Sequence, residues 1–229
     1  MSISLDEAVD LTRTGDVWVF RGRSVPDRAI QFTTNSPVNH VGMAVVLDDM
    51  PPLMWHAELG RSLRDMWTGS HQRGVQLHDL RDAVCVWANR YGQRAWLRQL
   101  EPSADLAMEQ AVLRTVARLD GTPFPSTAQL ALRWARGRVP HLRLPVLRLP
   151  VPGRRDRGDG RADRPVGDRA LETAYCAEVV AVTYEAMGLL PAGRRPNWYD
   201  PGRFWSGDDL DLTGAARLGA EIEVHVPPR

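Results

Sequence analysis

Thr173–Leu190, read TAYCAEVVAVTYEAMGLL, is the stretch from which the rest of the chain is best understood. Positions 176, 179, 180, 183, 187 and 190 are Cys, Val, Val, Thr, Met and Leu, the i, i+3, i+4, i+7 stripe of a helix with one buried face. Thr173 can cap its start, and Gly188 followed by Pro191 can stop it. Val179, Val180, Val182 and Thr183 are β-branched, so packing must supply what helix propensity does not. Cys176 falls in the first turn, pointing with the core stripe. There the helix dipole and unpaired backbone N–H groups favour the thiolate, and an ordinary thiol is only about 3% ionised at pH 7. A lone cysteine on an apolar stripe is more often a small buried hydrophobe, so a reactive reading needs a basic partner elsewhere.

Around this stretch, 229 residues with 43% hydrophobic and 25% charged content suffice for one full-sized core. The expectation is a single domain over residues 1–229, with an insertion at about 137–170. The net charge of +1 gives no field for nucleic acid. Every basic residue is arginine, which excludes lysine Schiff-base chemistry and a Walker lysine. Two cysteines build neither a disulfide framework nor an all-cysteine zinc site. Met1–Gly15 lacks the pattern of a signal peptide, and no apolar run nears the ~18 residues of a membrane span. These features predict a cytoplasmic protein with no stable membrane insertion.

Along the chain, Ser4–Thr12 reads as a short capped helix and Val17–Phe20 as a strand after Gly15-Asp16. Ala29–Thr34 fits a helix or an irregular segment equally. His40–Leu47 and Leu53–Leu59, joined by Asp48-Asp49-Met50-Pro51-Pro52, form a hairpin pattern. Val41, Met43, Val45 and Leu47 make its bulky face; His40, Gly42, Ala44 and Val46 make the other, small near His40. On the return strand, Met54, His56 and Glu58 share one face. With the loop tip near Asp49, residue 40 pairs around 58–60, so either His56 or Glu58 can orient His40. Gly74–Leu77 and Ala83–Asn89 read as further strands, linked by a polar turn around His78, with Cys85 a buried residue in the second. Ala104–Leu119 and Thr127–Arg136 read as helices, and Glu221–Val226 as a last strand.

Residues 137–170 differ in kind. Leu142-Arg143-Leu144-Pro145-Val146 repeats as Leu147-Arg148-Leu149-Pro150-Val151, and proline at that period excludes a helix. Gly153–Arg169 is rich in arginine, aspartate and glycine, the composition of a solvated loop. The repeat is either a passive insertion or a lid whose Leu/Val side covers a site.

Among six histidines, His40 has the best setting for a base, opening a buried strand on its small-residue face. The order Gly15-Asp16 before a strand, Asn39-His40-Val41-Gly42, a return strand ending near His56-Ala57, then Tyr175-Cys176-Ala177-Glu178-Val179-Val180 resembles the permuted branch of the NlpC-like, papain-fold superfamily. Its YiiX-like members are the best match, and lecithin:retinol acyltransferase is more distantly similar. Gly121-Thr122-Pro123-Phe124 is similar to a family glycine-aromatic segment. The resemblance implies an α+β, circularly permuted papain-like (NlpC-type) fold, with an antiparallel sheet or small barrel packed on the cysteine-bearing helix. It implies a Cys176–His40–(His56 or Glu58) triad, with His56 favoured over the acidic residue usual in that branch. It further implies a thiol hydrolase or acyltransferase acting on an amide or ester through a thioester, with Asn39 and Tyr175 as candidates beside the substrate; for Tyr175, directly before the nucleophile, a packing role is the stronger reading. That substrate is a small-molecule, lipid or peptide acyl compound, and no metal or other cofactor is required. A cell-wall-type peptide hydrolase, a non-catalytic binding module of the same fold, and a zinc site of His40, His56 and Cys176 are the competing expectations.

Overall fold

A computed structural model describes residues 2–22, 37–58, 62–123, 175–206 and 210–228. The segments expected at 29–34, 127–136 and 137–170, and the Thr173 cap, lie outside the described residues.

The architecture is α+β: a mixed seven-stranded sheet ordered β1-β9-β6-β2-β3-β4-β5, with helices on both faces. The strands are β1 (Ser2–Ser4), β2 (Val17–Arg21), β3 (His40–Val45), β4 (Leu53–Glu58), β5 (Gly74–Asp79), β6 (Arg94–Arg98) and β9 (Ile222–His225). Two short strands, β7 (Leu100–Glu101) and β8 (Arg217–Leu218), pair separately. Neighbours in the large sheet are antiparallel except for β1 and β9, which are parallel, so the wholly antiparallel sheet expected from the sequence is corrected at one edge.

Helix α1 (Leu5–Leu11) starts at a capping box in which Ser4 and Glu7 satisfy each other's backbone N–H groups. Helix α2 (Leu80–Tyr91) replaces the strand expected at 83–89. The stretch Ala83-Val84-Cys85-Val86-Trp87 is apolar and β-branched enough to pass for a strand. Asp79 nonetheless caps it through the Asp82 N–H, Leu80, Ala83, Val84 and Trp87 form its buried stripe, and Gly92 ends it at φ 63°. The polar turn expected around His78 is therefore the end of β5 running into the cap of α2. Cys85 is buried as expected, on α2. Helix α3 (Leu106–Leu119) is capped by Asp105. Helix α4 (Cys176–Ala186) begins after Tyr175, which makes no side-chain cap.

Two cores flank the sheet. On one face α3 and α4 pack on Val17, Val19, Val41, Met43, Val45 and Trp55. On the other, α1 and α2 pack on Trp18, Phe20, Ala44 and Met54. Two polar contacts fix α4: Trp55 Nε1 donates to Thr183 Oγ1 at 3.0 Å, and Tyr184 Oη donates to the Gly15 carbonyl at 2.5 Å. Asp16 is fully buried at the start of β2, where its carboxylate accepts from the N–H groups of Arg13 and Leu100, each at 2.8 Å.

The free side of β5 is closed by Gly121-Thr122: Val75 N–H donates to Thr122 O at 2.8 Å, and Gly121 N–H to Val75 O at 2.9 Å. Gly74 makes this approach possible, since it sits at φ 114° and a Cβ there would strike the Thr122 carbonyl. Gly74→Ala should therefore lower the unfolding free energy by about 2 kcal/mol or more, from backbone strain plus overpacking. Urea denaturation checks this; an unchanged midpoint would mean that the 121–122 segment moves aside at no cost.

A buried imidazole chain beside a helix-capped thiol

β4 is buried along its whole length, so its polar residues must find partners inside the protein. The observed register, Met43 opposite Trp55 and Ala44 opposite Met54, continues to set residue 40 opposite 58 and diagonal to 56, as the hairpin pattern predicts. His40 Nε2 lies 3.2 Å from His56 Nδ1. His56 Nε2 in turn lies 3.0 Å from His78 Nδ1, so three imidazoles form a chain across β3, β4 and β5. Trp87, on α2, packs edge-on against His40 and His56, with ring centroids 4.8 Å from each. Its indole N–H donates to Glu58 Oε2 at 3.1 Å, while Ser62 Oγ donates to Glu58 Oε1 at 3.0 Å. The other Glu58 neighbour is His78, whose Nδ1 is 3.9 Å from Oε2. His56, then, is the group beside His40, and Glu58 lies beside His78.

Electrostatically, burial disfavours charge throughout this pocket. Burial holds the pKa of His40 and His56 below the ordinary histidine range, with neighbouring imidazoles adding to the effect. His78 is pushed down to about 4 by burial, which outweighs the opposing pull of Asp65. Burial raises Glu58, against the hydrogen bonds from Ser62 and Trp87.

Cys176 lies with the opposite core, 4% exposed, and approaches the imidazole chain only where β3 begins. Its Sγ accepts from the backbone N–H groups of Val41, Ala177 and Cys176 itself. Val41 directly follows His40, yet no hydrogen bond joins the sulfur to the His40 ring among the described residues. The expectation that the helix start favours the thiolate is corrected: burial pushes the thiol up to about 12, and the three N–H groups only partly oppose it. The nearby Glu178 carboxylate adds to the rise.

The two residues expected beside the substrate are turned inward. Asn39 Oδ1 accepts from Gly22 N–H at 2.6 Å, and Tyr175 Oη donates to the Tyr199 carbonyl, which is the packing role also open to it. The residue that the sequence reading missed is His78. Gly74-Val75-Gln76-Leu77-His78 alternates small or polar with apolar side chains, and extending that strand by one residue would have put His78 on the face of His56.

No protein-family model matches the chain, and no curated protein does. Among solved structures, one that it is similar to is the crystal structure of metalloprotein yiiX from Escherichia coli O157:H7, DUF1105. The match has 20% sequence identity and a TM-score of 0.45, over 76% of this chain and 65% of that one. The chain thus spans less than two thirds of the length of that structure. No helix among the described residues is long and apolar enough to cross a membrane.

Proposed function

We propose that this protein is a thiol-dependent hydrolase or acyltransferase of permuted NlpC-like fold, acting on an amide or ester, with Cys176 as nucleophile, His40 as base and His56 as its positioning residue. The observation that supports this reading most is the 3.2 Å contact between His40 Nε2 and His56 Nδ1, one residue from the backbone N–H that meets the Cys176 sulfur. His40 opening a strand, His56 on the return strand and Cys176 opening a later helix is also the element order that the fold requires.

The chemistry follows from where the protons sit. A neutral His40 that donates its Nε2–H to His56 Nδ1 carries a lone pair on Nδ1. At neutral pH Cys176 is a thiol, so the nucleophile forms only as its proton passes to that lone pair. This transfer requires the ring to reach the sulfur, and catalytic hydrogen bonds commonly tighten only when substrate is bound. The thiolate then attacks the acyl carbon, and N–H groups at the start of α4 stabilise the oxyanion. His40 returns the proton to the departing alcohol or amine, leaving a thioester for water or an acceptor. The substrate is an acyl ester or amide; the role of residues 142–152 in admitting it belongs to the same proposal.

The burial of Cys176 supports a second reading, a non-catalytic binding module of the same fold. Activity distinguishes them. Hydrolysis of short acyl esters and of cell-wall stem peptides by the wild type should fall to background in Cys176→Ala. It should drop by about 100-fold or more in His40→Ala and by less in His56→Ala, with Glu58→Gln retaining most activity. Turnover that survives in Cys176→Ala excludes the thiol mechanism, and none in the wild type leaves the binding module.

The raised thiol gives a second prediction with a definite sign. Carbamidomethylation of Cys176 in the unliganded protein should be slow at pH 7 and climb about tenfold per pH unit through pH 10. A thiol whose folded pKa exceeds its unfolded one stabilises the fold below the unfolded pKa, near 9. That stability is lost as pH rises from there toward 12. The urea midpoint of the wild type should therefore fall more steeply above pH 9 than that of Cys176→Ala. Parallel curves would show the sulfur to be better solvated than its burial implies.

A further inference from the structure

Beyond the thiol and its base, the face of the sheet covered by α2 concentrates polar side chains, of which the proposed reaction gives a role only to His56, through its Nδ1. His56, Glu58 and His78 are 0%, 7% and 1% exposed, and each offers one ligand atom within 4.8 Å of the others. His56 Nε2 and His78 Nδ1 are 3.0 Å apart, and Glu58 Oε2 is 3.9 Å from the latter. Bonds of about 2.0–2.1 Å to a tetrahedral zinc ion set neighbouring ligand atoms about 3.3 Å apart, between those two distances.

The surroundings are those of a ligand set. The outer nitrogen of His56 meets His40, and the Glu58 carboxylate is oriented by Trp87 and Ser62, the kind of outer-shell support that metal ligands receive. Directly opposite His56 in the β4–β5 register stands Gln76, fully buried, whose amide nitrogen and oxygen have no partner among the described residues. His78 Nε2 is equally unpartnered. Buried polar atoms of this kind are rare in native proteins, and here they cluster in one layer.

We infer that His56 Nε2, His78 Nδ1 and a Glu58 oxygen bind one divalent first-row cation of the zinc class, with the Gln76 amide next to the remaining coordination position. Two imidazoles and a carboxylate suit zinc better than magnesium or calcium, which prefer all-oxygen sites. Coordination puts the proton of His56 on Nδ1 and that of His78 on Nε2. The hydrogen bond between the two rings is exchanged for two metal bonds, and His56 Nδ1–H donates to His40. Such an ion is enclosed by protein, unlike a catalytic zinc open to substrate. The ion shares His56 with the thiol reaction but not the nucleophile, because Cys176 is not a ligand, and each is read out on its own.

Zinc titration of the purified full chain against a chromophoric chelator tests it, with circular dichroism as the check on folding. One zinc per chain is expected for the wild type, Cys176→Ala and the exposed-site variant His225→Gln. Glu58→Gln and His78→Gln should each bind more than about 100-fold more weakly, beyond the effect of an outer-shell change. Should either buried variant fail to fold, cobalt(II) bound to the wild type decides: visible d–d bands without a thiolate charge-transfer band support this ligand set. A wild type that takes up no stoichiometric zinc overturns the inference. So does a site that survives in Glu58→Gln and His78→Gln, or one that is lost in Cys176→Ala. None of these readouts depends on hydrolytic activity, so the metal site and the thiol mechanism can fail separately.

Discussion

The constraint on which this structure turns is the burial of β4 on both faces. One face of Leu53–Glu58 supplies Trp55 and Ala57 to the core under α4, and the other turns Met54, His56 and Glu58 toward α2. A strand covered on both sides cannot pass its polar groups to water, and an unsatisfied buried group costs about 1–3 kcal/mol. His56 and Glu58 are therefore tolerated only because β3, β5 and α2 bring them His40, His78, Ser62 and Trp87. The imidazole chain follows from satisfying that strand, and α2 has to sit where it does for Trp87 to close it.

Much of this was readable in the residues. The alternation of His40–Val45 and Leu53–Glu58 sorts bulky from small and polar side chains, and that division became the two faces of the sheet. Ser4 with Glu7, and Gly188 after α4, marked helix ends through local chemistry that no tertiary contact overrides. The 80–91 stretch was not legible in the same way. A short run of alanine, valine, cysteine and tryptophan satisfies both periods, and what separates them is the Asp79 cap and Gly92 rather than the run itself. Misreading it as a strand moved His78 out of β5, and with it half of the polar layer.

The thiol shows a different limit. A first-turn position identifies local favourable terms acting on Cys176, namely the helix dipole and the N–H groups of Cys176 and Ala177, while the third N–H, that of Val41, comes from β3. It says nothing of how far the residue is withdrawn from water. The dipole is worth about 0.3–1 kcal/mol, up to ~2 kcal/mol where partly buried. Raising a thiol from 9 to about 12 corresponds to on the order of 4 kcal/mol in the other direction. Desolvation wins, and its size depends on α4 lying flat against β3 and β4, a tertiary fact with no signature in the helix sequence.

The two functions argued for this molecule meet at His56, which has two ring nitrogens and, when neutral, one proton. With the proton on Nε2, donated to His78, Nδ1 accepts from His40 and leaves His40 a lone pair on its own Nδ1, the form able to take a thiol proton. With the proton on Nδ1, donated to His40 Nε2, the His40 proton moves to Nδ1 and that lone pair is gone. Which form prevails is decided at the far end of the chain. The first leaves His78 Nε2–H as a buried donor without a partner, whereas in the second His78 Nδ1–H donates to His56 Nε2 and only the Nε2 lone pair goes unused. A cation shared by His56 Nε2 and His78 Nδ1 likewise fixes the His56 proton on Nδ1, with His78 carrying its own on Nε2. The acid–base state of His40, at the start of β3, is thereby set by whatever His56 meets on β5, through a single shared proton at each step and with no movement of the backbone.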